Sequence, residues 1–245
     1  MPEPESPTYP PPTSGTSAPL VLGVAGIVTV AATALSYALP AELQALGVAA
    51  VFLGATYTMV VRSDETQRIR HHGVSLGGLV EPEPIDWQRV LRQGSRSLRW
   101  AALVALVAFP PFWVGYVHWY DLGGAFSPVG SLGLVDDALG QLLVIALPEE
   151  AFYRGYLQTA LDDSWGTRVK ILGARVGPGL LVASAIFALG HFATHAHPAR
   201  LAVFFPALVF GWLRARTGGI GAGLVFHALC NLFADFLGQG YGLAP

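Results

Sequence analysis

Apolar residues in this chain are gathered into successive runs of roughly helix-spanning length, at 19–39, 41–62, 100–120, 134–160, 178–194, 200–213 and 219–237. A helix rises 1.5 Å per residue, so about 20 apolar residues cross a hydrocarbon core of about 30 Å. The expected fold is therefore an all-α, polytopic membrane helix bundle of about seven transmembrane helices. Composition agrees, since 12% of residues are charged where a soluble domain has about 25%.

Residues 1–18 are rich in Pro, Ser and Thr, the composition of a disordered tail. No Lys or Arg precedes Arg62, so the first run reads as a retained helix rather than a signal peptide with a basic n-region. Residues 19–245 are expected to form a single transmembrane domain. Basic residues sort by side: seven Arg lie at 62–99, three basic residues at 162–177 and two at 214–218, leaving only Arg154 and Arg200 elsewhere. The positive-inside rule makes that face cytoplasmic, with the N-terminus inside and the C-terminus outside. Between spans two and three, EPIDWQRVLRQGSRSLRW offers Asp86 as an N-cap. This segment is expected either to lie along the inner interface as an amphipathic helix or to form a basic loop. Pro110–Pro111, Pro148 and Pro206 fall within spans and should bend them. One cysteine, Cys230, leaves no internal disulfide or multi-cysteine metal site. A net charge of -2 gives no case for nucleic acid.

Ionisable residues at bilayer depth mark function by default. Glu149 and Glu150 are adjacent near the end of LVIALPEEAFYRGYL. Neighbours on a helix point about 100° apart, whereas residues four apart share a face. Arg154 can thus pair with Glu150, leaving Glu149 as the candidate general base. Two other spans carry His191, in FALGH, and His227 with Asn231, in HALCN. The alternative for each cluster is structural: an ion-pair network, a buried hydrogen-bonded histidine, or interhelical polar contacts. His195 and His197 precede Pro198 in what reads as an outer turn, so they are expected to be exposed. Counting 1.5 Å per residue from the inner boundaries puts Glu149 about 17 Å deep, His191 about 20 Å, His227 about 12 Å and Asn231 about 18 Å. The four can meet near the midplane.

A base, two imidazoles and an amide donor suit hydrolysis of a peptide bond. Glu149 and His191 would activate a water, and His227 with Asn231 would stabilise the oxyanion. Other protease designs fit less well. His191 is followed by Phe192, so there is no HExxH; Asp136 and Asp137 are adjacent and near a span end; Ser184 has no GxSG setting.

The motifs PEEAFYRG, FALGH and HALCN, in this order and each in its own span, resemble the CPBP family of intramembrane proteases. This family is also called the CAAX-protease, bacteriocin-processing or Abi family, and its eukaryotic relatives are the Ras-converting CAAX endopeptidases. The resemblance covers 134–237 as a catalytic core and implies Glu149, Glu150, Arg154, His191, His227 and Asn231 as site residues. It implies either a zinc ion held by Glu149, His191 and His227 or a metal-free glutamate mechanism. It also implies a membrane-anchored or lipidated protein or peptide as substrate. Thirteen Arg against one Lys, with abundant Ala and Gly, would suit a bacterial plasma-membrane protein and weigh against prenylated substrates. The competing class is non-enzymatic: an ion-coupled carrier using the same side chains as a relay, or an immunity or scaffold protein. Carriers often show two similar halves, whereas polar residues here concentrate in the last four spans.

Overall fold

The computed structural model describes residues 17–63, 65–128 and 134–243; residues 1–16 of the expected tail lie outside them. The apolar runs form α1 (Ala18–Ala38), α2 (Ala41–Val61), α3 (Trp87–Trp119), α4 (134–165), α5 (Pro178–Thr194), α6 (Pro198–Thr217) and α7 (Gly221–Gly240). Five of these, α1, α2, α3, α6 and α7, are long and apolar enough to cross a membrane, and α5 is an apolar helix of 17 residues. A short antiparallel hairpin, β1 (Val169–Ile171) with β2 (Ala174–Val176), was not expected and lies within the basic 162–177 segment.

The outward surface is apolar, with Ile27 and Val30 on α1 and Leu106, Val107 and Val114 on α3 all exposed. In water such a surface would invite association; against lipid it is the compatible one. Inward, Val21, Ala25, Val28 and Ala32 form a stripe on α1 that joins Phe52, Phe152, Tyr153 and Phe187 in the largest core cluster. Small residues at this spacing let helices approach closely, the packing that holds bundles together in lipid.

One expectation is corrected. The segment 86–99 is neither an in-plane helix separated from span three nor a loop. The Asp86 carboxylate accepts from the backbone N–H of Gln88 and Arg89, and the helix it caps runs unbroken for 33 residues to Trp119. At about 50 Å it is longer than the hydrocarbon core, so its arginine-rich first turns lie beyond the apolar layer. The prolines fall within helices, as expected: Pro110 and Pro111 lie inside α3, Pro148 inside α4 and Pro206 inside α6. On both sides of Pro148 the ladder widens into π turns, over Gly140–Ala146 and Ala151–Gln158.

The basic connections gather at one end. Arg214 donates to the His71 carbonyl, and the N–H of Ile220 to the Gly73 carbonyl at 2.9 Å. Gly73 has φ +70, and a Cβ there would lie 2.9 Å from the Gly219 Cα, so only glycine fits this crossing. Nearby, buried Glu81 is bracketed by Arg70 and Arg89 with a bond from Ser75, which together hold its carboxyl well below the usual range.

His72 anchors this end to α4 through Nδ1 and the Gly155 carbonyl, 2.8 Å apart. Burial lowers its pKa to about 4, so the folded imidazole is neutral and Nδ1–H donates. The unfolded chain takes up that proton near pH 6.5. Stability from this group is complete above pH 6.5 and is lost as pH falls towards about 4, by on the order of 3 kcal/mol. Thermal melts in detergent at about pH 7 and about pH 5 should show the loss. His72→Asn, which keeps a donor but does not titrate in this range, should flatten it.

Candidate active site

Pro148 delivers Glu149 and Glu150 to different neighbours. Glu150 is fully buried: Oε2 lies 3.6 Å from Arg154 Nε, one turn along α4, and Oε1 lies 3.1 Å from His227 Nδ1 on α7. Gly223 makes this approach possible, since a Cβ there would lie 3.0 Å from Glu150 Oε2 and 3.2 Å from the Phe210 carbonyl oxygen. Arg154 is equally buried. Its Nη2 donates to the Ala207 carbonyl at 3.3 Å, and its guanidinium lies 4.6 Å from the Phe187 ring centre and 5.3 Å from that of Phe210. Aromatic faces attract a desolvated cation, so α5 and α6 share with Glu150 the task of holding this charge.

Glu149 turns into a cleft, with its side chain 13% exposed. Its Oε2 lies 3.6 Å from His227 Nε2. One imidazole is thus flanked by both carboxylates. Phe210 stacks on it at 4.5 Å with a 14° tilt, which fixes the ring plane. With Nδ1 donating to Glu150, Nε2 is the nitrogen presented to Glu149, an assignment that follows from the hydrogen-bond partners.

His191 lies near the end of α5, its Nδ1 3.0 Å from the carbonyl of Phe187. With Nδ1–H donating there, Nε2 is left available. His191 and Glu149 line the same 70 Å³ cavity, and His191 is within electrostatic reach of both Glu149 and His227. Asn231 is on the same helix as His227, but its Nδ2 donates to Gln141 Oε1 at 2.8 Å; one of its two N–H groups is committed and one remains. His195 and His197 are exposed. Ser184 is buried and its Oγ has no hydrogen-bond partner.

Gln141, Phe187 and Phe210 were not singled out from the sequence as functional. Gln141 had a usable signal as the lone uncharged polar residue of QLLVIALP. Phe187 had its place at the head of FALGH; Phe210 had none, because an aromatic residue that stacks on a catalytic ring looks the same in sequence as one that fills a core.

A second cavity of about 210 Å³ reaches Glu149, walled by Val48, Phe52, Val144, Ile145 and Pro148. Two imidazoles and a carboxylate are chemically suited to zinc. Among the described residues, however, no three His, Cys, Asp or Glu side chains are gathered closely enough to hold a metal ion, and His227 Nδ1 already serves Glu150.

Residues 131–233 match the family model for type II CAAX prenyl endopeptidases, Rce1-like. No curated protein and no solved structure matches the chain. The matched stretch contains all of Glu149, Glu150, Arg154, His191, His227 and Asn231. The chain therefore carries, over residues 131–233, a domain of the Rce1-like family of CAAX intramembrane endopeptidases.

Proposed function

We propose that this integral membrane protein hydrolyses a peptide bond in a membrane-associated protein or peptide, with Glu149 as general base. The observation that carries the reading is the Glu149–His227–Glu150 row, whose outer member, Glu149, lines an open cleft. A carboxylate that only held helices together would be enclosed like Glu150, between Arg154 and His227; Glu149 instead lines open space and faces an imidazole nitrogen.

In this mechanism a water in the cleft is oriented by His191 Nε2 and loses a proton to Glu149 as its oxygen attacks the carbonyl carbon. The tetrahedral oxyanion is met by the uncommitted N–H of Asn231, which Gln141 holds in place. The proton then passes to the amine nitrogen as the C–N bond breaks, with His227 Nε2 beside Glu149 as a second station. Glu150 and Phe210 fix the imidazole, and Arg154 balances the charge of Glu150. Positioned acid–base groups of this kind supply about 100- to 10,000-fold, and an oxyanion donor about 100- to 1000-fold. Because the donor set is not gathered for a metal, activation is assigned to the side chains themselves.

Purified protein in detergent, incubated with membrane-tethered peptides, should release fragments identifiable by mass spectrometry. Cleavage should survive a chelator strong enough to strip zinc. Stoichiometric zinc, with activity lost on chelation and restored by zinc alone, would overturn the metal-free assignment. Substrate accumulation in a deletion strain, with no cleavage by the purified protein, would point to the carrier or scaffold class instead.

A further inference from the structure

The cleft has a direction. Its lining runs from Glu149 and Pro148, past Val48 and Phe52, to Ser36, Gln44 and Thr194. Ser36 lies in the last turn of α1, Gln44 in the first turn of α2, and Thr194 is the last residue of α5. The Tyr37 hydroxyl donates to the Ala193 carbonyl at 2.8 Å, which joins the ends of α1 and α5 at the same level. The cleft therefore leads to the end of the bundle formed by the α1–α2 turn and the C-terminus of α5.

The arginine-rich connections are at the opposite end, where 62–99 and 214–220 are tied together by the Arg214–His71 and Ile220–Gly73 bonds. The basic 162–177 segment joins this end through the Trp212 Nε1–H bond to the Ile171 carbonyl, so only Arg154 and Arg200 of the basic residues lie outside its segments. Such a bias marks the cytoplasmic side. The mouth then faces away from the cytoplasm.

We infer that scissile bonds reach Glu149 from the non-cytoplasmic face, so that the substrates are membrane-anchored proteins cut in the outer half of the bilayer or just beyond it. The substrate class rests on the proteolytic reading; the sidedness of the cleft does not. Size narrows the occupant further. A cavity of about 210 Å³ is below the 300–1,000 Å³ of pockets for drug-sized ligands. With Ala45, Val48, Ala49, Phe52, Val144 and Ile145 on its walls, it suits an extended backbone with one apolar side chain beside the cut.

Site-directed labelling tests this. In a Cys230→Ala background, Gln44→Cys places a thiol at the mouth and Arg96→Cys one at the basic end. With a bulky, membrane-impermeant maleimide, Gln44→Cys should label in right-side-out vesicles, and labelling should remove most cleavage of a tethered reporter peptide. Arg96→Cys should label only in inside-out vesicles and leave cleavage unchanged. Labelling of Gln44→Cys only from the inside-out face would overturn the inference, as would undiminished cleavage after complete labelling at the mouth. If the unmodified protein cleaves nothing, the proteolytic reading falls while the labelling pattern still reports which side the cleft faces.

Discussion

Glu149→Gln should lower turnover about 100- to 10,000-fold with little change in melting temperature. Glu149 acts on Arg154 only through the longer-range field: the guanidinium is anchored by Glu150, the Ala207 carbonyl and two phenylalanine rings. Glutamine keeps the volume and can still reach His227, so what is removed is the capacity to accept a proton. KM should move far less than kcat, because the cleft walls that would seat substrate are untouched. Cleavage kinetics with a tethered peptide, beside a thermal melt, check both halves. Turnover within about twofold of the unmodified protein would mean that the base is another group.

Arg154→Ala has a different signature. Removing one member of a buried ion pair leaves the other uncompensated and costs about 3–5 kcal/mol. Arg154 also fills the space between Phe187 and Phe210, so the loss includes packing. Melting in detergent should drop sharply, and activity with it. The double variant Glu150→Gln/Arg154→Met removes both charges while keeping most of the volume, and should recover much of the stability. It should not recover activity, since His227 Nδ1 then faces a neutral amide and the imidazole loses the carboxylate that fixes its Nδ1–H. A double variant as active as the unmodified protein would show that Glu150 contributes only to stability.

The parts legible in the sequence were those in which a residue was out of place. A carboxylate pair, two histidines and an asparagine in apolar runs stand out because lipid penalises them, and their spacing already paired Glu150 with Arg154. The spans were legible for the complementary reason, namely that lipid demands length. The meeting of both glutamates on one imidazole was not legible, because it depends on the rotation of α4 against α7 and on the room left by Gly223. Nor was the commitment of the Asn231 amide to Gln141, which joins residues 90 positions apart. The unbroken α3 was missed because a change from charged to apolar composition resembles a boundary, although it marks only where one helix leaves the lipid.

The widened turns of α4 make its length a functional property. Each π turn holds a residue more than an α-helix needs to cover the same stretch. Deleting one residue from Gly140–Ala146 would let the ladder relax to ordinary α geometry, a repair in terms of backbone hydrogen bonding. Because the π stretch absorbs its extra residue locally, the same deletion would leave the two flanks in register and re-aim only the side chains within it, Gln141 among them, relative to Asn231. Shortening this helix by a single position thus offers a protein that folds at least as well and has lost the support of its oxyanion donor.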